Sequence, residues 1–325
     1  MSGVDKSDQW VAKAQNQSRL SFGLAVTAMS EDDPRVVAIS ADTLDLLGLR
    51  EMQARSPERV IEAGIAEQNA MGMASGLATT GMRAFVCGYA PFITARSMEQ
   101  LRNDVAYANQ RVVIGAACSG ITLAVSGGTH HAIEDIALMR SFPNMTVLVP
   151  ADAIEAWHLT HATVSLDGPS YIRLGGRYEE QAVTSVDATP TIGKADVLRC
   201  GNDVAVIACG ALVADALAAA EDLESAGISV RVINMHTIKP LDNETVLAAA
   251  QACAGIVTAE EHHVIGGLGG AVAELLSEHC PTRMRFVGMP DEFAIVGPTA
   301  TVREHYGMSA SNIAAKCREL VELAG

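Results

Sequence analysis

Short β-branched runs alternate with longer segments of helical periodicity along the first half of the chain. This alternation is typical of a parallel sheet that is covered by helices. We predict strands at 35–40, 83–88, 111–117, 145–149 and 170–174, with helices that include 65–78, 92–108, 133–141 and 152–164.

A shorter unit of the same kind follows in the second half. Its predicted strands are 203–209, 229–235, 255–259 and 284–287, and its predicted helices are 212–226, 244–253, 269–279 and 310–323. Between the units, the turn-rich segment GGRYEEQAVTSVDATPTIGKA has no sustained periodicity and is interpreted as a connector. The sequence thus predicts an α/β protein of two parallel-sheet, three-layer domains, 1–180 and 195–325, with a linker at 181–194.

Composition agrees with this fold class. Hydrophobic residues make up 49% and charged residues 19% of the 325 residues, with 28 glycines, as in a compact α/β protein. The formal charge of −15 repels phosphate backbones, so nucleic acid is not an expected partner. Small anionic substrates stay possible, because a local basic pocket can outweigh the net field.

The seven cysteines indicate the compartment. Their number is odd and they form no C-x-x-C pair, which favours a reduced chain without a disulfide framework or a zinc site. The segment MSGVDKSDQW has no apolar core of a secretory signal, and no run of about 18 apolar residues predicts a membrane span. We expect a cytoplasmic protein.

The stretch from Val60 to Met82 contains two carboxylates, Glu62 and Glu67, and no lysine or arginine. From Ala66 onward its small residues suit a helix that packs closely against another backbone. A carboxylate buried there without a counter-ion is costly, so burial should favour its protonated form, as a proton-shuttling group requires. On the residues alone, an equal alternative places Glu67 in solvent at a helix N-terminus, stabilised by the helix dipole.

This stretch carries a motif. The run Gly64-Ile65-Ala66-Glu67-Gln68 is similar to the G-I-A-E-Q motif of the transketolase and deoxyxylulose-phosphate synthase family, whose enzymes use thiamine diphosphate. The resemblance implies that Glu67 hydrogen-bonds a ring nitrogen of the cofactor's aminopyrimidine and that Ile65 supports the cofactor's bent conformation. It assigns further cofactor contacts to Asp42, Tyr89 and Phe92, although such aromatic residues are more often part of a core.

A second motif, residues 127–140, begins Gly-Gly-Thr-His and resembles the family's G-x-T-H-Q-x-x-E-x-x-A run, with His130 as the active-site histidine. Without the family, His130 and His131 could be a surface pair or metal ligands, but no third ligand lies at a helical spacing. Arg173 matches a phosphate contact of the family, and could otherwise form an ordinary ion pair. For the glycine cluster 266–270, we expect close packing at a helix start rather than a phosphate loop.

Departures from the family pattern concern the substrate. Ser126 stands where an aspartate normally contacts a substrate hydroxyl, and Cys118 stands where a phosphate-binding histidine is common. Leu46 replaces the usual serine after Asp42. The loss of these charge-assisted contacts should weaken binding of a sugar phosphate, so we expect a non-standard substrate. The residues assigned to the cofactor are kept, so we expect the chemistry to be retained.

The diphosphate end of the cofactor lacks its motif. These enzymes bind the diphosphate through a divalent metal, held by a Gly-Asp-Gly motif and a downstream asparagine, and neither is found here. The resemblance therefore implies the carboxyl-terminal subunit of a split transketolase, with the pyrimidine-binding and C-terminal domains. A separate amino-terminal subunit would hold Mg²⁺ or Ca²⁺, and we expect a heterotetramer with two copies of each chain.

The function predicted is transfer of a two-carbon ketol unit from a ketose to an aldehyde or ketone. One alternative is a 2-oxoacid-using acyl-transferring or decarboxylating enzyme, like the β subunits of 2-oxoacid dehydrogenases; the motif at 133–140 favours transketolase over it. Another alternative is a scaffold subunit without activity. Retention of Glu67, Phe92 and His130 together argues against it.

Overall fold

Two mixed sheets organise the residues that the computed structural model describes, 6–176 and 180–324. Their strands are β1 Val36–Ser40, β2 Val60–Glu62, β3 Arg83–Tyr89, β4 Val112–Ala117, β5 Thr146–Leu148, β6 Ser170–Arg173, β7 Asp196–Arg199, β8 Val204–Ala208, β9 Val230–Asn234, β10 Thr237–Lys239, β11 Ile256–His263 and β12 Met284–Met289.

Helices cover these sheets. They are α1 Lys6–Ala14, α2 Ser18–Asp32, α3 Arg50–Arg55, α4 Glu67–Thr79, α5 Met98–Gln100, α6 Asp135–Ser141, α7 Ala153–Ala162, α8 Leu212–Ser225, α9 Asn243–Ala252, α10 Leu268–His279, α11 Thr299–His305 and α12 Ala310–Glu322. The predicted helix 92–108 is present, with π-helical segments Phe92–Arg96 and Leu101–Tyr107 on either side of α5. Short 3-10 turns occur at Pro57–Arg59, Ala124–Ser126 and Thr163–Ser165.

Among the described strands, seven form one sheet in the order β10-β5-β6-β4-β3-β1-β2, and five form the other in the order β12-β11-β8-β9-β7. The strands from β5 to β2 in the first order run parallel, as do those from β12 to β9 in the second. These pairings confirm the predicted α/β fold with two sheets.

Two edge strands differ from the predicted parallel direction. β10 pairs antiparallel with β5, and β7 pairs antiparallel with β9. β10 also adds to the first sheet a strand that lies in the second half of the sequence. The boundary between two domains at 181–194 therefore remains a proposal, since one strand crosses it.

Buried residues lie on both faces of the first sheet, because successive strand residues point to opposite sides. Along β1, Val37 and Ile39 belong to one hydrophobic cluster, while Val36 and Ala38 belong to another. The first cluster includes residues of α4 and continues into the second sheet at Ile207. The second includes residues of α2. The two sheets thus share one continuous core.

The polar segment predicted as a connector is bound closely to the first sheet's helices. Its residues 177–179 lie outside the described part of the chain. Beyond them, the Glu180 carboxylate accepts hydrogen bonds from the Ser18 hydroxyl at 2.6 Å and from the Ser18 backbone N–H at 2.9 Å. The Asp152 carboxylate accepts from the backbone N–H groups of Val183 and Thr184, both at 2.7 Å. These bonds fix the path between the two sheets.

This connector should make stability depend on pH. Burial raises the pKa of Glu180 to about 8, whereas an unfolded chain releases the same proton near its ordinary value, about 4.3. The contribution of Glu180 is therefore fully present below that ordinary value and is lost as pH rises toward the folded-state pKa. We expect the melting temperature to fall between about pH 6 and pH 8, and Glu180→Gln to flatten that fall.

Scanning fluorimetry across that range tests the assignment. The amide of Glu180→Gln can still bond Ser18, so the variant should fold. The free energy of unfolding should fall more steeply with pH in the wild type than in the variant, by up to about 1.4 kcal/mol per pH unit. The matched control is Glu322→Gln, because Glu322 is exposed and has the same charge. Equal slopes for wild type and Glu180→Gln would exclude Glu180 as the titrating group.

Candidate cofactor site

Four neighbouring parallel strands end at one edge of the first sheet, in the order β4-β3-β1-β2. Asp42 lies just beyond the end of β1, Tyr89 is the last residue of β3, and Glu67 begins α4 soon after β2. Ligands of open α/β sheets bind outside the carboxyl ends of the strands. The topology therefore brings these three predicted residues to one edge, although they are far apart in sequence.

Glu67 is buried, with 3% of its surface exposed, at the first position of α4. The alternative prediction places the Glu67 side chain in solvent at a helix N-terminus. It is wrong about the exposure of the side chain and right about its place at the start of a helix. Arg96 donates to Glu67 Oε2 at 2.7 Å. The premise that this carboxylate has no counter-ion is thus wrong, since Arg96 comes from the helical segment after β3.

Arg96 is a site residue that the sequence reasoning missed. Its guanidinium lies 4.5 Å from the centroid of the Phe92 ring, on the same helical segment, so one side chain contacts both Glu67 and an aromatic residue. The spacing of four residues between Phe92 and Arg96 is the signal that could have suggested a shared face. Nothing in the sequence pairs that face with α4.

Three rings form a cluster next to this ion pair. The Phe92 and His130 ring centroids are 5.2 Å apart, and Tyr89 lies 6.2 Å from Phe92 and 6.4 Å from His130, all edge to face. The hydroxyl of Thr129 contacts His130 Nδ1 at 3.0 Å. The structure therefore brings together Tyr89, Phe92 and His130, which the resemblance assigned separately to cofactor and substrate.

Two turns follow strands β1 and β2. Asp42 has φ of 58° and Gly64 has φ of 72°, both left-handed, a conformation that aspartate tolerates and glycine adopts freely. Glu62 connects the turns, because its Oε1 accepts from the Asp42 N–H at 2.7 Å and from the Gly64 N–H at 3.3 Å. Ile65 follows with 75% of its surface exposed, an apolar side chain that this chain leaves uncovered.

These residues fit one end of thiamine diphosphate. A flat aminopyrimidine suits a position against aromatic rings, and its ring nitrogen suits a buried carboxylate that a guanidinium holds in place. Phe92, Tyr89, Glu67 and Arg96 provide that set of groups. Each residue role assigned here remains a prediction, because it rests on proximity within this chain.

Arg173 is engaged away from the ring cluster, where the two sheets pack together. Its guanidinium is buried and donates to Asp135 at 2.8 Å and to the carbonyl oxygens of Ala132 at 3.1 Å and Glu261 at 2.9 Å. The Tyr171 hydroxyl donates to the same Asp135 oxygen at 2.6 Å. Three donor contacts of Arg173 are thus engaged within the protein, so a substrate role for it stays a prediction.

The other residues that the sequence singled out divide into buried and exposed positions. Cys118 and Leu46 lie in the hydrophobic cluster under the sheet, 0% and 3% exposed. Ser126 is exposed at the end of a 3-10 turn, next to exposed Val125. His131 is buried and its Nε2 faces the Ala124 carbonyl at 3.4 Å. Of these singled-out residues, only Ser126 is exposed, four positions before His130 of the ring cluster.

The glycine cluster at 266–270 surrounds a carboxylate. Both oxygens of Glu260 accept from the first backbone N–H groups of α10, those of Leu268 at 2.7 Å and Gly269 at 2.8 Å. A Cβ added at Gly267 would lie 1.9 Å from Glu260. Burial raises the pKa of Glu260 to about 7. A protein carboxylate therefore takes the place that a phosphate would need, and the glycine is required for close approach.

Comparison with known protein families gives two matches. Residues 15–177 match the family described as "Transketolase, pyrimidine binding domain", and residues 193–313 match "Transketolase, C-terminal domain".

Among curated proteins, the chain is 40% identical to the 6-deoxy-6-sulfo-D-fructose transketolase subunit SqwH of Clostridium sp. (strain MSTE9), over 90% of this chain and 91% of that protein. It is 36% identical to an apulose-4-phosphate transketolase subunit of Phocaeicola vulgatus, over 94% of this chain and 97% of that protein.

Solved structures agree with these matches. A chain described as a split-gene transketolase in an inactive β4 tetramer superposes with a TM-score of 0.87 at 39% identity, covering 95% of this chain and 99% of that one. Transketolase from Leishmania mexicana shares the fold, with a TM-score of 0.80 at 23% identity over 95% of this chain and 46% of that one.

Among the described helices, none is long and apolar enough to cross a membrane.

Proposed function

This chain belongs to the transketolase family as one subunit of a split thiamine-diphosphate enzyme, and from that premise we propose how it works. It contributes the pyrimidine half of the cofactor site, and a separate chain contributes the diphosphate half with its Mg²⁺ or Ca²⁺. Two copies of each chain form the working enzyme. The observation that carries the proposal is the buried Glu67 carboxylate, held by Arg96 beside the cluster of three rings.

Thiamine diphosphate, when bound, supplies the carbon nucleophile that breaks and re-forms a carbon–carbon bond next to a carbonyl group. Glu67 exchanges a proton with a pyrimidine ring nitrogen, and Arg96 is a positioning residue that fixes the carboxylate. Phe92 and Tyr89 pack against the pyrimidine, which excludes water from it. Exposed Ile65 faces the cofactor and is covered when the partner binds.

His130 binds the substrate. Its ring lies at the edge of the Phe92 ring, and Thr129 contacts its Nδ1 at 3.0 Å, which orients Nε2 away from Thr129. A histidine in that place can donate a hydrogen bond to a substrate oxygen and accept its proton when a hydroxyl becomes a carbonyl.

We further propose that the ketose is not one of the ordinary straight-chain sugar phosphates. Two relatives act on unusual sugars by their names, one on 6-deoxy-6-sulfo-D-fructose and one on apulose 4-phosphate. In this chain, the neutral Ser126 is exposed at a position where the family has an aspartate, and Cys118 has no exposed surface with which to bind a phosphate. A sulfonated or branched sugar is therefore the expected donor or acceptor.

A substrate panel on the complex with its partner tests this function. Turnover is measured on xylulose 5-phosphate with ribose 5-phosphate, on sulfonated and branched analogues, and on 2-oxoacids. We expect ketol transfer with the highest kcat/KM on a sulfonated or branched sugar. A preference for 2-oxoacids would overturn the transketolase assignment. A kcat/KM of about 10⁷ M⁻¹s⁻¹ on xylulose 5-phosphate with ribose 5-phosphate would overturn only the substrate proposal.

Ser126 gives a sharper test of specificity. An aspartate there can accept a charged hydrogen bond from a sugar hydroxyl, and such bonds are worth about 1.5–3 kcal/mol. Ser126→Asp should therefore raise kcat/KM on the ordinary pair by about ten- to a hundredfold. Ser126→Asn is the matched control, because asparagine has the size of aspartate but no charge. If the aspartate variant gains no more than the asparagine variant, Ser126 does not set the specificity.

A further inference from the structure

A second group of ligating side chains lies where the two sheets meet, away from the ring cluster. Glu155 is in the first turn of α7, Asp196 is the first residue of β7, and His236 follows β9. One donor atom from each residue lies within 4.8 Å of the other two. The ladder of β7 and β9 fixes part of this geometry, because Asp196 pairs with Asn234 in it.

One ring nitrogen of the histidine in this group has no hydrogen-bond partner within the described part of the chain. His236 is 0% exposed, and its Nδ1 contacts the Thr237 hydroxyl at 2.9 Å. Among the described residues, Nε2 finds no hydrogen-bond partner, and neither does the buried Oδ1 of Asn234. A buried polar atom without a partner costs about 1–3 kcal/mol, so the imidazole Nε2, 3.7 Å from Asp196 Oδ2, is a candidate ligand for a metal ion.

The charges lead to the same conclusion. Burial raises the pKa of Glu155 to about 8, and the neighbouring acids Asp152 and Asp196 act in the same direction. Burial lowers the pKa of His236, which keeps its imidazole neutral. A divalent cation between the imidazole and these acidic side chains would offset the repulsion among the acids.

We propose that Glu155, Asp196 and His236 bind a divalent transition-metal ion, with Zn²⁺ the best match. His236 Nε2 and Asp196 Oδ2 are 3.7 Å apart, close to the spacing of about 3.4 Å between ligands of a tetrahedral zinc ion. Imidazole with carboxylates suits zinc or manganese, whereas magnesium and calcium prefer oxygen alone.

Neighbouring groups support the ligands as in known metal sites. Thr237 can accept the Nδ1 proton of His236, which leaves the lone pair on Nε2. Glu155 accepts from the Ala151 N–H at 2.6 Å and from the Asn234 amide at 2.7 Å. The Asp196 side chain is 49% exposed, so an ion can enter and a water molecule can complete its coordination. The ion would tie α7 to the second sheet.

Calorimetric titration of the full chain, without its partner and without thiamine diphosphate, tests this site apart from the cofactor's metal. Because Cys200 is exposed, all proteins carry Cys200→Ser to limit binding of zinc by thiols. We expect one Zn²⁺ per chain with a Kd below about 10 µM, a higher melting temperature with Zn²⁺, and no such effect of Mg²⁺. Asp196→Asn should weaken binding by more than about tenfold, since removal of even a supporting residue costs that much.

The matched control is Asp187→Asn, which removes the same charge from an exposed aspartate outside the group and should keep the wild-type Kd. Glu155→Gln is the second variant, because a water molecule could take the place of the Asp196 carboxylate in Asp196→Asn and hide its loss. The proposal is overturned if the chain binds no Zn²⁺ below about 100 µM, or if both Asp196→Asn and Glu155→Gln bind it with the wild-type Kd.

Discussion

Purified without its partner, this chain is expected to bind thiamine diphosphate too weakly for turnover. The described site holds groups for a pyrimidine ring, namely Glu67, Phe92 and Tyr89, and the sequence has no Gly-Asp-Gly motif to hold a metal for the diphosphate. Loss of two charge-assisted contacts of about 1.5–3 kcal/mol each weakens binding by about a hundred- to ten-thousandfold.

Titration calorimetry on the chain alone and on the co-purified complex measures this difference. The complex should bind the cofactor in a metal-dependent manner, and the isolated chain should show no binding below about 100 µM. A variant of the partner with its Gly-Asp-Gly aspartate changed to alanine serves as the control, because it keeps the interface and removes the metal. Micromolar binding by the isolated chain would disprove the division of the site between two chains.

The strands of both sheets were the part of the fold that the sequence predicted best. Runs such as Val112–Ala117 and Val204–Ala208 are entirely buried, so their apolar composition follows from burial on both faces. Short strands were missed for the opposite reason. β10 has three residues, and its pairing with β5 depends on contacts some ninety residues away along the chain, which no local pattern encodes.

The candidate site was predictable as a set of motifs and only partly as a geometry. Motif resemblance selected Glu67, Phe92 and His130, and the order of the strands explains why they meet. The resemblance did not reveal the ion pair with Arg96, because that contact joins two helical segments 29 positions apart. Nor could it show that Arg173 is held by Asp135, since burial of both residues arises where the two sheets pack.

The metal group illustrates a different limit. Glu155 lies on α7, Asp196 on β7 and His236 between β9 and β10, and their spacing resembles no metal motif, so no residue pattern connects them. Only the docking of α7 against the second sheet brings them within reach of one ion. Long-range packing therefore creates chemistry that residue patterns alone leave hidden.

Replacement of Glu67 by glutamine should slow turnover of the complex by about two to four orders of magnitude, the usual contribution of a positioned acid–base group. Glutamine has the same shape and can still accept a hydrogen bond from Arg96 through its Oε1. It cannot take up or release the proton that a ring nitrogen requires. The fold should be kept, because glutamine fits the buried position of Glu67 and Arg96, whose side chain is 45% exposed, keeps its charge in contact with water.

Three measurements separate this role from a structural one. Steady-state turnover gives the loss in kcat, the melting temperature of the complex reports the fold, and NMR follows exchange of the cofactor's acidic carbon-bound proton. Exchange and turnover should slow in parallel, while the melting temperature stays near wild type. Glu99→Gln is the matched control, since Glu99 lies three positions from Arg96 along the chain and loses the same charge. If Glu67→Gln turns over within a few-fold of Glu99→Gln, the Glu67 carboxylate stabilises only the start of α4 and does not activate the cofactor.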